Sequence, residues 1–210
     1  MSIYVFDMRK LEDDSFFEEC YNNASKTRQK KADESVSHIR KIENIAAAKV
    51  IDMAVSEYGF REKDLKYVYG PQGKPYVEGN PFYINISHSG DYAVCLISDR
   101  ESGIDIQKVE KNRLVVARRF FAESEYKWII SKENEHDQNE AFYRMWALKE
   151  SYVKALGIGT SLAFDKFEIR INADDSAEVF CHGREMNWEF EEMTMSGYYI
   201  ACCLQKDKLI

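Results

Sequence analysis

Proline is scarce in this chain. All three prolines, Pro71, Pro75 and Pro81, fall in one short stretch together with Gly70, Gly73 and Gly79. That stretch reads as turns and loop, and no low-complexity linker divides the rest. Cysteine is equally unhelpful as a framework: Cys20, Cys95, Cys181, Cys202 and Cys203 are odd in number and show no CxxC spacing. Neither a disulfide scaffold nor a zinc site is suggested. Cys95, Cys202 and Cys203 sit in apolar strands, where a thiol behaves as a small hydrophobe, and a reducing cytoplasm fits best. No run approaches the roughly 18 apolar residues of a membrane helix. The start, Met1 to Asp7, lacks the basic and apolar pattern of a signal peptide and reads as a first strand. G-x-S-x-G, Walker A and G-x-G-x-x-G are all absent, so no nucleophile elbow, P-loop or dinucleotide fingerprint is indicated. A net charge of -7 disfavours general nucleic-acid binding.

What is present is a chain of 210 residues, 45% of them hydrophobic, enough for one large domain or two small ones. Its charge is uneven. Residues 26–49 hold seven Lys or Arg against three acids, whereas residues 123–140 hold six acids against two lysines. Such runs are solvated faces in the ordinary case; the functional alternative is that the basic one meets a polyanion. Apolar spacing predicts a helix from Val36 to Tyr58, with others over Glu123–Ser131 and Asn139–Leu156, the last stopped by Gly157. Strands are expected at Phe82–Ile86 and Tyr92–Ile97, joined through Ser87-His88-Ser89-Gly90-Asp91, and at Ser102–Ile106. Four more follow, at Phe167–Ile171, Ala177–Cys181, Trp188–Met193 and Tyr198–Leu204. One internal echo stands out: Ser89-Gly90-Asp91-Tyr92-Ala93-Val94-Cys95-Leu96 resembles Ser196-Gly197-Tyr198-Tyr199-Ile200-Ala201-Cys202-Cys203. It suggests two similar α+β halves that meet near residues 99–103.

Four groups of residues carry chemistry. In Gly103-Ile104-Asp105-Ile106-Gln107, strand alternation turns Ile104 and Ile106 to a core and Asp105 and Gln107 to the other face. That pair reads as a Mg²⁺ site of hard oxygens, or as the wet face of an ordinary strand. In Trp146-Ala147-Leu148-Lys149-Glu150-Ser151-Tyr152-Val153-Lys154, helical spacing puts Trp146, Glu150 and Lys154 on one face. Glu150 and Lys154 then form a surface ion pair, unless Trp146 marks partial burial and Glu150 has a metal or another partner. Asn85 to Gly90 places hydroxyls, turn amides and His88 at a strand end, suited to phosphate oxygens or to local hydrogen bonding. Lys74, between Gly73 and Pro75, reads as presented on a rigid turn. His136, in a polar stretch, reads as loop.

Taken in order, Gly73-Lys74-Pro75, Asn85-Ile86-Ser87-His88-Ser89, Gly103-Ile104-Asp105-Ile106, Phe120-Phe121-Ala122-Glu123-Ser124-Glu125 and Trp146 to Lys154 resemble the 4′-phosphopantetheinyl transferase family. The match is to its monomeric type, which activates peptide synthetases. The resemblance implies an α+β fold of two pseudo-symmetric halves, residues 1–102 and 103–210, each a small, mostly antiparallel sheet packed with a long helix, with coenzyme A in the cleft between them. It implies transfer of phosphopantetheine from coenzyme A to a serine of an apo acyl or peptidyl carrier protein, with release of 3′,5′-ADP. Asp105 and Glu150, with Gln107, would ligate Mg²⁺ or Mn²⁺; Glu150 and Lys154 would be catalytic. Lys74, Ser87, His88 and Lys154 would contact coenzyme A, and Lys30, Lys31, Arg40 and Lys41 are candidates for its phosphates. Lys149 belongs to the same motif with no role fixed. Gln107 stands where family members often carry Glu, and a coenzyme A or carrier binder without turnover is the reading this departure favours. A cytoplasmic monomer with no membrane or nucleic-acid partner completes the expectation.

Overall fold

The structure is a computed structural model and describes residues 1–110 and 113–207. The chain forms two compact units: Met1–Gly70 with Pro75–Asp99, and Pro71–Lys74 with the chain from Arg100 on. The expected division after residue 102 falls one residue inside a strand; the change of unit precedes that strand.

The first unit begins with strand β1 (Ser2–Asp7), helices α1 (Asp14–Asn23), α2 (Lys26–Asp33) and α3 (His38–Ser56), and a small hairpin of β2 (Tyr67–Tyr69) and β3 (Pro75–Val77). It closes with β4 (Tyr83–Ser89) and β5 (Tyr92–Ser98). Ser37 caps α3 by accepting the Arg40 N–H. The helix buries Ile42, Ile45, Ala46, Val50, Ile51, Ala54 and Val55 against the antiparallel sheet β1-β5-β4. Helices α1 and α2 are not expected from apolar spacing. Only Gln29 and Ala32 of α2 are buried, so no apolar stripe announces it, although Ser25 caps it as Asp13 caps α1.

The second unit runs β6 (Ser102–Lys108), α4 (Leu114–Phe120), α5 (Glu123–Ile130) and α6 (Glu135–Leu156), then β7 (Glu168–Ile171), β8 (Ala177–Cys181), β9 (Arg184–Glu185), β10 (Trp188–Met195) and β11 (Tyr198–Gln205). Asn134 caps α6 by accepting the Asp137 N–H at 3.0 Å, and Gly157, at φ 66°, stops it in the left-handed conformation that glycine adopts without penalty. The helix starts four residues before the expected Asn139 because its first turn is polar. His136 therefore sits in helix, 3.5 Å from Glu140. Helix α6 lies against β6 and β11 of the antiparallel sheet β10-β11-β6. Strands β7, β8 and β9 form a separate small sheet.

The two units share one plan. In each, strand, long helix and hairpin follow in order, and the last strand lies central in the sheet: β1-β5-β4 and β6-β11-β10. The sequence echo maps onto the two hairpins, whose turns carry Gly90 and Gly197 at φ 54° and 74°. Matching the hairpins by the echo sets Val94 against Ala201. Their strand partners are Val5 and Asp105. The first unit is thus apolar at the position where the second carries a carboxylate.

Candidate active site

Strand β6 and helix α6 meet unusually closely, and Gly103 permits it. A Cβ at that position would stand 2.2 Å from the Ser151 carbonyl oxygen and 2.3 Å from the Ala155 nitrogen. Two residues on, Asp105 is 3% exposed. Its Oδ1 accepts from Lys154 Nζ at 2.6 Å and its Oδ2 from Gln107 Nε2 at 2.7 Å. Ile104 and Ile106 are fully buried on the opposite face, as alternation requires. The face bearing Asp105 is not a wet one.

One turn before Lys154, Glu150 is half-buried. Among the described residues its carboxylate makes no hydrogen bond or ion pair, so the Glu150–Lys154 surface pair does not form. Lys154 turns instead to Asp105, since an almost buried carboxylate needs a counter-charge more than a half-exposed one. Burial, and then the Asp105 charge, hold the Glu150 acid above its ordinary range, with Lys154 acting the other way. Among the described residues no three His, Cys, Asp or Glu side chains gather as a cage for a metal ion. A cation here would rest on the two carboxylates. That donor set suits Mg²⁺, which keeps several waters and takes one or two carboxylates plus substrate phosphates.

Lys149 points the other way, into the core, and is fully buried. Its ammonium pairs with the buried Glu125, donates to the Phe167 carbonyl at 3.0 Å and lies 4.0 Å from the Phe167 ring. Glu125 also accepts the N–H groups of Ile169 and Ala122. Burial pushes the Lys149 ammonium down and the Glu125 acid up; the pairing opposes both. This network joins α5, α6 and β7 and fixes the face that α6 turns inward. In the sequence Glu125 looks like one more member of an acidic run. Trp146 packs against Phe121, Phe142 and Phe164 with ring centroids 5.9, 5.7 and 5.4 Å apart, the partial burial read from its place in the motif.

Lys74 departs from expectation. It is 8% exposed, and its Nζ donates to Glu101 Oε2 at 2.8 Å and to the carbonyls of Ser102 and Ala155 at 3.0 and 2.7 Å. Its Nζ is engaged inside the second unit, so it is not presented on an open turn.

The remaining candidates lie in the first unit. Ser87 and His88 are not in a loop: β4 continues through Ser89, with Ser87 opposite Val94 and His88 opposite Ala93. Only Gly90 and Asp91 form the turn. The His88 Nδ1 stands 3.4 Å from Glu43 Oε1, and Arg40 Nη1 donates to Glu43 Oε2 at 2.9 Å. Glu43, which nothing in the sequence singled out, thus draws Arg40 and His88 together. Lys31 is exposed on α2, where Lys30 lies 3.7 Å from Glu34; the Lys41 ammonium lies over the Phe17 ring.

Residues 101–203 match the family described as the 4'-phosphopantetheinyl transferase superfamily. The chain is 34% identical to the 4'-phosphopantetheinyl transferase Sfp of Bacillus subtilis (strain 168), over 59% of this chain and 55% of that protein. It is 35% identical to the 4'-phosphopantetheinyl transferase gsp of Aneurinibacillus migulanus, over 62% and 54% respectively. The chain spans about half the length of the curated relatives it matches. Among solved structures, the holo-[acyl-carrier-protein] synthase of Thermotoga maritima aligns over 51% of this chain and 64% of its own, at 23% identity and a TM-score of 0.43.

Proposed function

Because residues 101–203 match the 4'-phosphopantetheinyl transferase superfamily, we propose that the protein belongs to it and transfers 4′-phosphopantetheine from coenzyme A to a serine of an apo acyl or peptidyl carrier protein. The observation that carries this reading is the arrangement on β6 and α6: an almost buried Asp105 bonded to Lys154, beside an unpaired Glu150. A divalent cation, Mg²⁺ or Mn²⁺, supplies positive charge at the coenzyme's pyrophosphate when bound. Asp105 and Glu150 are the residues that would hold it, with Gln107 orienting Asp105.

A serine hydroxyl is a weak nucleophile at neutral pH and needs a positioned base. Glu150, half-buried and without a hydrogen-bond or ion-pair partner among the described residues, is assigned as that base. The serine proton passes to Glu150 as the serine oxygen bonds to phosphorus. The bond from that phosphorus to the bridging pyrophosphate oxygen breaks, and 3′,5′-ADP leaves. Lys154, aimed by Asp105, stabilises the charge on the phosphoryl group in transit. Lys31, Arg40, Ser87 and His88 are assigned to the 3′-phosphoadenosine end, with Glu43 steering Arg40 and His88.

The carrier is expected to be a small acidic domain, which an enzyme of net charge -7 does not attract as a whole. Helix α4 offers a local match: Arg118 and Arg119 beside Val115 and Phe120, which are 83% and 47% exposed. Phe121, next in the chain, stacks on Phe142 in the core and is not part of this surface. No helix among the described residues is long and apolar enough to cross a membrane. The same reading has the enzyme acting as a cytoplasmic monomer. Mass spectrometry of several apo-carriers incubated with protein, Mg²⁺ and coenzyme A tests it. A gain of one phosphopantetheine is expected on at least one carrier; no gain on any acyl or peptidyl carrier would refute it.

A further inference from the structure

The lysine of the Gly73-Lys74-Pro75 turn is buried within the second unit, although the chain on both sides of Pro71–Lys74 belongs to the first. Two of its acceptors are main-chain oxygens: Ser102, which opens β6, and Ala155, in the last turn of α6. Another is the Glu101 carboxylate. One ammonium therefore ties the strand that bears Asp105 to the helix that bears Glu150 and Lys154. The site is well chosen, because the last carbonyls of a helix lack partners within it and carry the negative end of its dipole.

Gly103 adds to the same junction. It adjoins Ser102, and the backbone approach it allows involves Ser151 and Ala155. Clamp and close contact thus meet at one end of the β6–α6 interface. Asp105 lies three residues along the strand from the clamp, about 10 Å at the rise of a β-strand. Glu150 lies five residues back along the helix, about 7.5 Å. At such a distance a small change of tilt at the clamp becomes a comparable change in the gap between the two carboxylates.

We propose that Lys74 is a positioning residue: it holds β6 against α6 so that Asp105 and Glu150 keep their places on facing elements, and it does not contact the coenzyme's phosphates. A phosphate contact would require a free N–H, and the three donors already have acceptors within the chain. The inference rests on the transferase reading for its kinetic arm, while its cation-binding arm stands without it.

The test compares wild type, Lys74→Met and Lys74→Gln, with near-ultraviolet circular dichroism to establish folding. The probes are coenzyme A, 3′-dephospho-coenzyme A, and Mn²⁺ alone followed by electron paramagnetic resonance. Lys74→Met is expected to lower kcat by up to about 100-fold, the scale of a 1 Å misplacement. The KM for coenzyme A and the preference over the dephospho form should be unchanged, and Mn²⁺ binding should weaken about tenfold. Lys74→Gln keeps two N–H donors for the Ser102 and Ala155 carbonyls, should recover a large part of both losses, and carries the test if the methionine variant fails to fold. A large rise in KM with loss of the preference for the 3′-phosphate would make Lys74 a phosphate contact and overturn the proposal. Wild-type kcat and Mn²⁺ binding in both variants would overturn it as well. If wild type transfers to no carrier, the transferase reading fails, and the Mn²⁺ measurements alone decide the role of Lys74.

Discussion

Replacing Gly103 by alanine adds one methyl group at the tightest point between β6 and α6. That carbon would lie 2.2 Å from Ser151 O, 2.3 Å from Ala155 N and 2.9 Å from the Lys154 carbonyl carbon. These are backbone atoms, so no side chain can swing away. Relief requires strand and helix to separate by roughly 1 Å, judged against ordinary van der Waals contact. Gly103 has no left-handed φ, so the cost comes from overpacking alone. Overpacking costs about 1–3 kcal/mol, and contact with backbone on two sides argues for the upper end. At about 2–4 °C per kcal/mol for a chain of this size, Tm should fall by roughly 6–12 °C. The same separation moves Asp105 from Glu150 and Lys154 and should slow transfer about 100-fold. Differential scanning fluorimetry gives the first quantity. The rate of carrier mass gain, measured well below the variant's Tm, gives the second. A variant with wild-type Tm and wild-type rate would show that the close approach of strand and helix positions nothing.

Three further outcomes follow from the same geometry. Glu150→Gln should lower transfer by about 100- to 10,000-fold, as loss of a general base does, without lowering Tm at pH 7. An acid whose folded pKa is raised loses stability as pH climbs from the ordinary glutamate value through the folded one, and the neutral amide avoids that loss; a large drop in Tm would contradict this. Lys149→Met, which strands the buried Glu125, should cost about 3–5 kcal/mol in denaturant unfolding, and adding Glu125→Met should restore most of it; equal instability of single and double variants would place the effect elsewhere. Arg118→Glu with Arg119→Glu should raise the KM for the carrier and leave that for coenzyme A unchanged, and unchanged carrier kinetics would remove α4 as the docking helix.

Local pattern made part of this site legible. Strand alternation put Asp105 and Gln107 on one face, and the Gly157 stop and the helical spacing of Trp146, Glu150 and Lys154 are features of a single segment. Spacing could not choose the partner of Lys154, because the choice was made by burial of Asp105, 49 residues away in sequence. Sequence presents Lys74 on an open turn for the same reason: the acceptors that bury it lie 27 to 81 residues distant. The polar Ser87-His88-Ser89 hides the end of β4 from the sequence, while the hairpin register carries the strand to Ser89. Glu125 was hidden in an acidic run, and nothing in that run reveals that one member meets a buried lysine. The duplicated plan, by contrast, left a readable trace, since both hairpins need glycine at a positive φ and an apolar central strand after it.

Mn²⁺ binding, read by electron paramagnetic resonance on wild type, Asp105→Asn, Glu150→Gln and the double variant, bears most directly on the pairing of the two carboxylates. Each single substitution should weaken binding about tenfold or more, and the double variant should bind no better than the poorer single, because both side chains serve one ion. Wild-type binding in either single variant would mean that Asp105 and Glu150 do not share a cation.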